Sequence, residues 1–534
     1  MWRGRWFRLD LELPGSPARA ILALASLGLL ASSPIGISLP AWAEPLTPME
    51  SASDLRPSDW AYQALQQLTE QVGCLAGFPG GTDGGARSLS RFEAAALLRA
   101  CLERVSEHTD QVERLLQHFQ AELAILRGRA DVLEAQVAGL EATQFSTTSK
   151  LSGVATFDLG AYGYGGTAKR GNSGPGGVEN LESAFTLNYE VRLIFDSSFT
   201  GKDLLRTRLR SGNYGSSAFN GNQYRATKLV KSYQSSAGPD VVDVDRIYYS
   251  FPLSSAWKAT VGPRVRNTEM LAIEPTAYKS SLGDFLSGTF GASGTYNKET
   301  GAGAGVIWRQ SVRKGQPYLT SAVNYVAKNA EQGDPEAGGI LTNRSGGSLL
   351  GQLGLVGPGW GLVAAYRYGQ CGTDLRMGTQ YTYAASKTSC DQLRAGAATN
   401  NLALNGYWQP QRSGWIPSIS MGWGFSQFTE GYEPAINIRQ AQSWMVGLQW
   451  SDVLVQGNRA GMAVGSLPYA TASFDGQTPR DGNTTWEWWY DWRISDAMSL
   501  TPALFYQSRP AGQTTPQGES FNALGGLIRL NVLF

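Results

Sequence analysis

The sequence predicts an all-β transmembrane barrel of about 16 antiparallel strands, preceded by a small helical domain and a coiled-coil helix. The spacing of hydrophobic residues changes along the chain, from a helical period to a seven-residue period and then to strict alternation. The composition combines 64 glycines and 11% aromatic residues with only 17% charged residues, which is typical of membrane barrels. After residue 43 no apolar run approaches about 18 residues, so the chain can cross a bilayer only as a closed barrel.

The overall charge is nearly balanced. The chain has 45 Lys and Arg residues against 44 Asp and Glu residues. A large basic excess would indicate a nucleic-acid partner or another acidic partner. The balance therefore indicates neither kind of partner.

Residues 1–43 have the organisation of an export signal peptide. An apolar run over residues 20–30 is followed by a small-x-small cleavage site at Ala41–Ala43, and four arginines precede the run: Arg3, Arg5, Arg8 and Arg19. The alternative is a signal-anchor helix. It is disfavoured because the apolar run is short and is followed by Pro34 and Pro40.

Residues 53–103 are predicted to form a small domain of two helices. In "SDWAYQALQQLTEQVG", apolar residues recur at four-residue steps, which is one face of a helix: Trp60, Ala64, Leu68 and Val72. A glycine-rich loop follows over residues 77–85. Ser90 and Glu93 then form the S-x-x-E pattern of a capping box, which marks the start of the second helix.

Three short motifs in this domain resemble those of surface-layer homology (SLH) domains. They are Asp59-Trp60-Ala61-Tyr62, Gly77-Phe78-Pro79 and Ser90-Arg91-Phe92-Glu93, although the loop "PGGTDGGARS" departs from the family's turn. The resemblance implies that the domain binds a glycan attached to peptidoglycan, through Trp60, Gly77, Arg91 and Glu93. Arg91 would be the ligand of the glycan anion. The alternative for Arg91 is a solvated arginine in the first turn of a helix.

Residues 104–143 are predicted to form a coiled coil. Apolar residues recur at sevens, with a second set four residues on: Val105, Val112, Phe119, Leu126, Leu133 and Leu140, then Thr109, Leu116, Leu123, Ala130 and Val137. Gly128 and Gly139 each weaken the helix by about 1 kcal/mol relative to alanine. A single helix lying on the barrel rim is the alternative. The strict seven-residue period favours self-association, because a lone straight helix drifts off such a stripe.

The four cysteines fall into two local pairs, Cys74 with Cys101 and Cys371 with Cys390. An even number of cysteines in an exported chain favours two disulfides, although three pairings are formally possible. Four buried thiols are the alternative.

Residues 146–534 alternate between apolar and small or polar side chains. Examples are "FTLNYEVRLIF", "WGLVAAYRYG" and "SISMGWGFSQ". Short turns and long loops between these segments are typical of an outer-membrane barrel. A soluble β-sandwich also alternates, but it would need large apolar residues on its inner face. Here the second face carries mostly Gly, Ser, Asn and Arg, which favours a water-filled interior.

The last segment, "GGLIRLNVLF", is predicted to be the strand that closes the barrel. Ile528, Leu530, Val532 and the terminal Phe534 lie on one face of this strand, while Arg529 and Asn531 lie on the other. We expect the first face to contact lipid. The aromatic end would then lie at the membrane interface.

In "LLRTRLRSG", Arg206, Arg208 and Arg210 share one face of a strand. A lipid-facing arginine costs about 2–4 kcal/mol at the bilayer midplane, so this row is expected to line the pore. The same alternation assigns five more basic residues to the pore: Arg192, Arg246, Lys258, Arg264 and Arg367. The next long segment carries Glu269, Glu274 and Asp284. We expect it either to fold inward as a constriction loop or to be a solvated extracellular loop.

Four stretches resemble cyanobacterial outer-membrane porins that combine an SLH domain, a coiled coil and a carbohydrate-porin-like barrel, often labelled iron uptake porins. They are "QFSTTSKLSG", "FDSSFTGKDLLRTRLRSGN", "YYSFPLSSAWKATVGP" and "SLTPALFYQS". The resemblance implies passive diffusion of small hydrophilic solutes, with inorganic ions, iron and small carbohydrates among them. It also implies a homotrimer in the outer-membrane lipid. The SLH domain and coiled coil would lie in the periplasm and bind a peptidoglycan-linked polysaccharide.

The sequence disfavours three other functions. Both histidines, His108 and His118, precede the barrel segment, so it offers no histidine base for hydrolysis and no histidine-containing metal site. An energised siderophore transporter would need a plug and around 22 strands, more than this segment can supply. A purely structural tether between membrane and wall stays open, but about 8 strands would suffice for an anchor. We therefore expect a porin without catalytic residues, cofactor or metal.

Overall fold

The computed structural model has two compact units, one within residues 34–147 and the other over residues 148–534. It describes residues 55–72, 88–102, 109–129, 148–169, 183–280, 286–412 and 414–534. The predicted signal peptide lies outside the described residues. Among the helices that are described, none is both long and apolar enough to cross a membrane.

The helical unit contains α1 (Trp60–Val72), α2 (Arg91–Leu102), α3 (Asp110–His118) and α4 (residues 120–129). Its helices share one apolar core, which includes Leu65, Leu98 and Phe119. The backbone N–H of Ser90 donates to the Glu93 carboxylate at 2.9 Å, and the Glu93 N–H donates to the Ser90 hydroxyl at 3.2 Å. The predicted capping box is therefore confirmed.

The core of this unit continues past residue 103, where the sequence predicts the domain to end. Val112, Leu115 and Phe119 of the predicted coiled coil are fully buried against α1 and α2. The helix is also interrupted at Phe119, where α3 ends. The apolar side chains of α3 therefore pack against helices of the same chain. Coiled-coil self-association over residues 104–143 stays a prediction, and residues 130–147 lie outside the described part.

The described part of the second unit forms sixteen strands that close into one antiparallel barrel, in which β16 pairs with β1. This confirms the predicted fold class. The strands are β1 (Ser149–Gly165), β2 (Thr186–Ser197), β3 (Leu204–Gly212), β4 (Asp243–Pro252), β5 (Trp257–Arg266), β6 (Thr300–Arg309), β7 (Tyr318–Ala327), β8 (Gly347–Gly357), β9 (Trp360–Gln370), β10 (Ala398–Trp408), β11 (Ser418–Phe428), β12 (Gln440–Ser451), β13 (Arg459–Ala472), β14 (Thr485–Arg493), β15 (Met498–Ser508) and β16 (Asn522–Leu533).

The alternation of side chains follows the predicted pattern. On the outer face large apolar side chains are exposed, for example Leu187 at 66% and Leu353 at 55%. On the inner face small and polar side chains such as Asn401 and Ser420 are buried. The closed sheet and its apolar outer surface exclude a soluble sandwich.

The last strand closes the barrel as predicted. Its register pairs Leu530 with Phe157 on the outer face and Arg529 with Asp158 on the inner face. Phe534 extends the ladder, since its N–H donates to the Gly153 carbonyl at 3.1 Å and its carbonyl accepts from the Gly153 N–H at 2.6 Å. The Phe534 side chain is exposed.

Connections at the two ends of the barrel differ in length. The turns at one end are short, such as residues 253–256, 358–359 and 494–497, and the first strand starts at that same end. The loops at the other end are long, notably residues 213–242, 267–299 and 371–397. The difference between short turns and long loops confirms another feature expected of an outer-membrane barrel.

Cys371 and Cys390 form a disulfide within the long loop after β9, with their Cα atoms 5.3 Å apart. Cys101 is also disulfide-bonded, whereas Cys74, its predicted partner, lies outside the described residues. The structure thus confirms the predicted Cys371–Cys390 pairing.

Candidate channel lumen

The long segment between β5 and β6 folds into the barrel. The backbone N–H groups of Ala272 and Ile273 donate to the Gln352 side chain on the inner face of β8. Further along, the Ser420 hydroxyl on β11 accepts from the Tyr278 N–H at 3.0 Å. Of the two predicted alternatives for this segment, the structure adopts the inward fold.

Side chains from the barrel wall hold the second half of this segment by its carbonyl oxygens. Arg367 on β9 donates to the Gly294 carbonyl at 2.5 Å, and Asn405 on β10 donates to the Phe290 carbonyl at 2.8 Å. Trp489 on β14 donates to the Tyr278 hydroxyl at 2.8 Å. These bonds fix the inward segment, named here the inner loop (residues 267–299), against β8 to β14.

The predicted arginine row of β3 faces the interior and is paired with carboxylates. Arg206 makes a two-pronged bond to Asp196 on β2, at 2.7 and 2.6 Å. Arg208 contacts Asp245 at 2.5 Å, and Arg210 donates to Glu190 at 2.6 Å. The register places Arg206 directly opposite Asp196, whereas Arg210 lies opposite Arg192 and reaches Glu190 two residues along the same face of β2.

Arg246 on β4 connects this row to the inner loop. Its Nε donates to both oxygens of Glu269 at 2.9 Å, and Glu269 also lies 3.8 Å from Arg208. Arg192 pairs with Glu190 on the same inner face. Basic residues of the wall thus form ion pairs with an acidic residue of the inner loop.

Other predicted residues lie elsewhere. Glu274 is half-exposed and pairs with Lys279 of its own loop, so it does not face the arginine row. Arg367 points inward as predicted, but it is 0% exposed beneath Gly294. The prediction that Arg367 lines open pore is corrected, because its side chain anchors the inner loop. Lys258 is exposed near the short turns, and Asp284 lies outside the described residues.

A second long segment, residues 213–242 between β3 and β4, also folds against the inner wall. The Tyr214 hydroxyl donates to Asp158 on β1 at 2.5 Å, and Phe219 packs on Tyr162. Gln507 on β15 donates to the Ala226 carbonyl. Sequence reasoning missed this segment, and its unusual length was the one signal that could have indicated it.

A cavity of about 460 Å³, named here the basic cavity, lies between the inward segment of residues 213–242 and the barrel wall of β3, β4 and β5. Its lining contains one carboxylate, Asp245, and six basic side chains: Arg210, Lys228, Arg246, Arg264, Arg266 and Arg376. Three of the six were predicted as pore-lining. The others were missed, because Lys228 and Arg376 lie on loops and β5 has a bulge between Gly262 and Val265 that interrupts its alternation.

Burial changes the titration of several loop groups near the lumen. Desolvation, with a contribution from neighbouring arginines, lowers the pKa of Lys231 to about 7. Burial next to Asp374 raises the pKa of Glu299 to about 7. Burial and the nearby Arg225 hold the pKa of Lys228 well below its usual range. Two of these groups therefore change charge near neutral pH.

In the helical unit, Arg91 is engaged with the next two helices. Its Nε donates to Glu122 at 2.5 Å, its Nη2 donates to the His118 carbonyl at 2.8 Å, and its guanidinium lies 5.3 Å from the centre of the Phe119 ring. Trp60 contacts His118 edge-on, and Glu93 is part of the capping box. Gly77, also predicted to bind glycan, lies outside the described residues.

The described residues contain no group of three or more His, Cys, Asp or Glu side chains that could hold a metal ion.

Similar proteins are known from both sequence and structure. The uncharacterized proteins alr4550 of Nostoc sp. and sll0772 of Synechocystis sp. are each 31% identical to this chain over 92% of its length, and the matches cover 85% and 91% of those proteins.

Among solved structures, OprB of Pseudomonas putida has a TM-score of 0.45 and 9% identity, covering 72% of this chain and 94% of that protein. The anion-selective porin of Comamonas acidovorans has a TM-score of 0.42 and 11% identity, covering 72% and 99%. The model of the carbohydrate-selective porin, OprB family matches residues 107–534. The chain therefore belongs to the OprB family of carbohydrate-selective porins.

Proposed function

We propose that this porin gives passive diffusion of small hydrophilic solutes, with inorganic ions, iron and small carbohydrates among them. Family membership makes the barrel an outer-membrane channel, and the solutes are the part proposed here. One observation carries the proposal: Glu269 of the inner loop pairs with Arg208 and Arg246 of the barrel wall. Charged side chains that line a pore act on ions and polar solutes as they pass.

The polar interior supports the same function. Inner-face residues such as Asn401, Ser420 and Ser443 supply hydrogen-bonding groups along the wall. A solute that gives up water in a constriction needs such groups, because an unpaired polar group in a desolvated site is costly. Hydroxylated and charged solutes are therefore favoured over apolar ones.

We further propose that the helical unit lies in the periplasm and tethers the barrel to a peptidoglycan-linked polysaccharide. Short turns of outer-membrane barrels face the periplasm, and the first strand begins at the short-turn end. The residues that precede β1 therefore enter the barrel from the periplasmic side. The motifs around Arg91 support glycan binding, and the heptads of residues 104–143 support self-association. The homotrimer is proposed from the resemblance to cyanobacterial porins.

Single-channel current recording of the full-length protein in planar bilayers tests the channel function. We expect stepwise conductance in KCl, and liposomes containing the protein should swell in small sugars. Absence of both conductance steps and swelling would overturn the proposal.

A second candidate function is a structural tether with little permeation. It is favoured by the filling of part of the barrel by the two inward segments, with an inner cluster that includes Tyr162, Phe219 and Trp489. Liposome swelling separates the two functions directly. A tether alone would retain binding to cell-wall material while admitting no solute.

A further inference from the structure

The lining of the basic cavity has an excess of positive charge even without Lys228, since it contains five arginines and one carboxylate. Six of its lining side chains are basic and only Asp245 is acidic. Glu190, Asp245 and Glu269 contact Arg210 and Arg246, but they are shared with Arg192 and Arg208. Three carboxylates therefore serve four arginines before the remaining basic residues are considered.

The other four basic residues of the cavity have no ion pair at their side chains, although the backbone N–H groups of Arg266 and Arg376 donate to Glu269 and Asp374. Within the described ranges, no carboxylate lies within 4.0 Å of the side-chain nitrogens of Lys228, Arg264, Arg266 or Arg376. Lys228 instead donates to the Asn220 side chain at 2.6 Å. Grouped like charges repel one another, so this wall is energetically unfavourable without an anion.

Several guanidinium nitrogens at the cavity are buried without a hydrogen-bond partner in the described part of the chain. They are Nε of Arg210, Nη2 of Arg246, Nε of Arg266 and Nε of Arg376. Arg246 is only 1% exposed, so its side chain is fixed by its neighbours. A buried unsatisfied donor typically costs about 1–3 kcal/mol, and more when it is charged. Because these nitrogens have almost no accessible surface, an acceptor bound in the cavity would lower this cost only if the side chains turned toward it.

The rest of the lining is suited to a hydroxylated solute. Asn220, Ser232, Gln234 and Ser235 add neutral donors and acceptors next to the basic residues. A volume of about 460 Å³ exceeds the space that one small ion requires.

We propose that the basic cavity is a binding site for solutes that carry a doubly charged oxyanion, that is, a phosphoryl group, free or attached to a small sugar. Guanidinium groups match the oxygens of a phosphoryl group in pairs and carry a fixed charge. A halide or a single carboxylate has too few acceptor atoms to satisfy four separate donors. The proposal rests on the proposed function, because the ligand reaches the cavity through the channel.

Single-channel chloride currents through the full-length protein provide the test. We expect millimolar inorganic phosphate and glucose 6-phosphate to interrupt the current, while glucose and acetate at equal concentration do not. The two phosphate arms distinguish a free phosphate site from one that prefers a phosphorylated sugar. Equal block by acetate would overturn the doubly charged specificity.

Two variants locate the effect. Arg266→Gln and Arg376→Gln should each raise the half-blocking phosphate concentration at least tenfold, whereas Arg313→Gln on an exposed short turn should leave it unchanged. Chloride conductance in the same recording shows whether each variant forms a channel. If a variant forms no channel, calorimetry is used in place of that variant. It measures the binding of phosphate to the wild-type protein in detergent.

The outcomes separate this site from the channel function. A chloride current that phosphate never interrupts, together with no calorimetric binding, would overturn the site and leave the porin intact. Absence of chloride current, with phosphate binding still seen by calorimetry, would overturn the channel function alone.

Discussion

Arg529 of β16 binds Asp158 of β1 across the seam that closes the barrel. Arg529 Nη2 lies 2.5 Å from the Asp158 carboxylate, and both side chains are 0% exposed. The Tyr214 hydroxyl donates to the same carboxylate. An inward segment and both terminal strands therefore meet at one buried ion pair.

We predict that Arg529→Met destabilises the folded barrel by about 3–5 kcal/mol, because it leaves the Asp158 charge buried without its main partner. The double variant Arg529→Met/Asp158→Leu should recover most of this loss, since the uncompensated charge is removed as well. Urea unfolding of the protein in detergent, followed by tryptophan fluorescence, measures the difference.

The matched control is Arg493→Met. Arg493 pairs with Asp496 in a short turn, and the Asp496 side chain is 99% exposed. Solvent screens such a pair, so its removal should hardly change the unfolding midpoint. Equal destabilisation by both single variants would contradict the importance of the seam.

The strands can be predicted from the sequence because every second side chain of a barrel strand contacts lipid and is therefore apolar. Arg529 and Leu530 could be assigned to opposite faces from the sequence alone. The sequences of long loops contain no such repeating pattern from which their folding could be predicted. Glu269 and Glu274 are five residues apart, yet only Glu269 reaches the arginines, because the inner loop turns between them.

The site was predictable only where it lies on regular strands. Arg206, Arg208 and Arg210 follow from the alternation of β3, whereas Arg376 comes from a disulfide-bonded loop more than 150 residues away. The position of Arg376 at the cavity depends on tertiary contacts, such as the hydrogen bond that Arg225 donates to the Arg376 carbonyl at 3.0 Å. No local pattern encodes such a contact.

Neutralising the arginine row should change ion selectivity. We predict that Arg206→Gln/Arg208→Gln/Arg210→Gln lowers the permeability of chloride relative to potassium, because three positive charges leave the lumen. Glu269→Gln should shift selectivity the opposite way. Reversal potentials in a KCl gradient measure both effects, and unchanged values in the triple variant would contradict a lumen position.

Ion selectivity should also depend on pH near neutrality. Lys231 and Glu299, each with a pKa of about 7, lie on the two inward segments. As pH rises from about 5.5 to 8.5, Lys231 loses a positive charge and Glu299 gains a negative one. The interior becomes more negative by roughly two charges, so we expect chloride selectivity to fall with a midpoint near pH 7.

The double variant Lys231→Met/Glu299→Gln is the control for this pH dependence. It removes both titrating groups but keeps side chains of similar size. Reversal potentials recorded across the same pH range should become flat. A pH response that persists unchanged in this variant would show that other groups cause it.

Arg91 provides a last prediction, because its bond to Glu122 would compete with a glycan anion for the same guanidinium. If Arg91 is the glycan ligand, Glu122→Gln should strengthen binding of the full-length protein to purified cell walls. Arg91→Gln should abolish that binding. A co-sedimentation assay measures both, with thermal unfolding of the helical unit as the control for folding. Loss of binding in both variants, in parallel with loss of helical stability, would assign Arg91 a structural role instead.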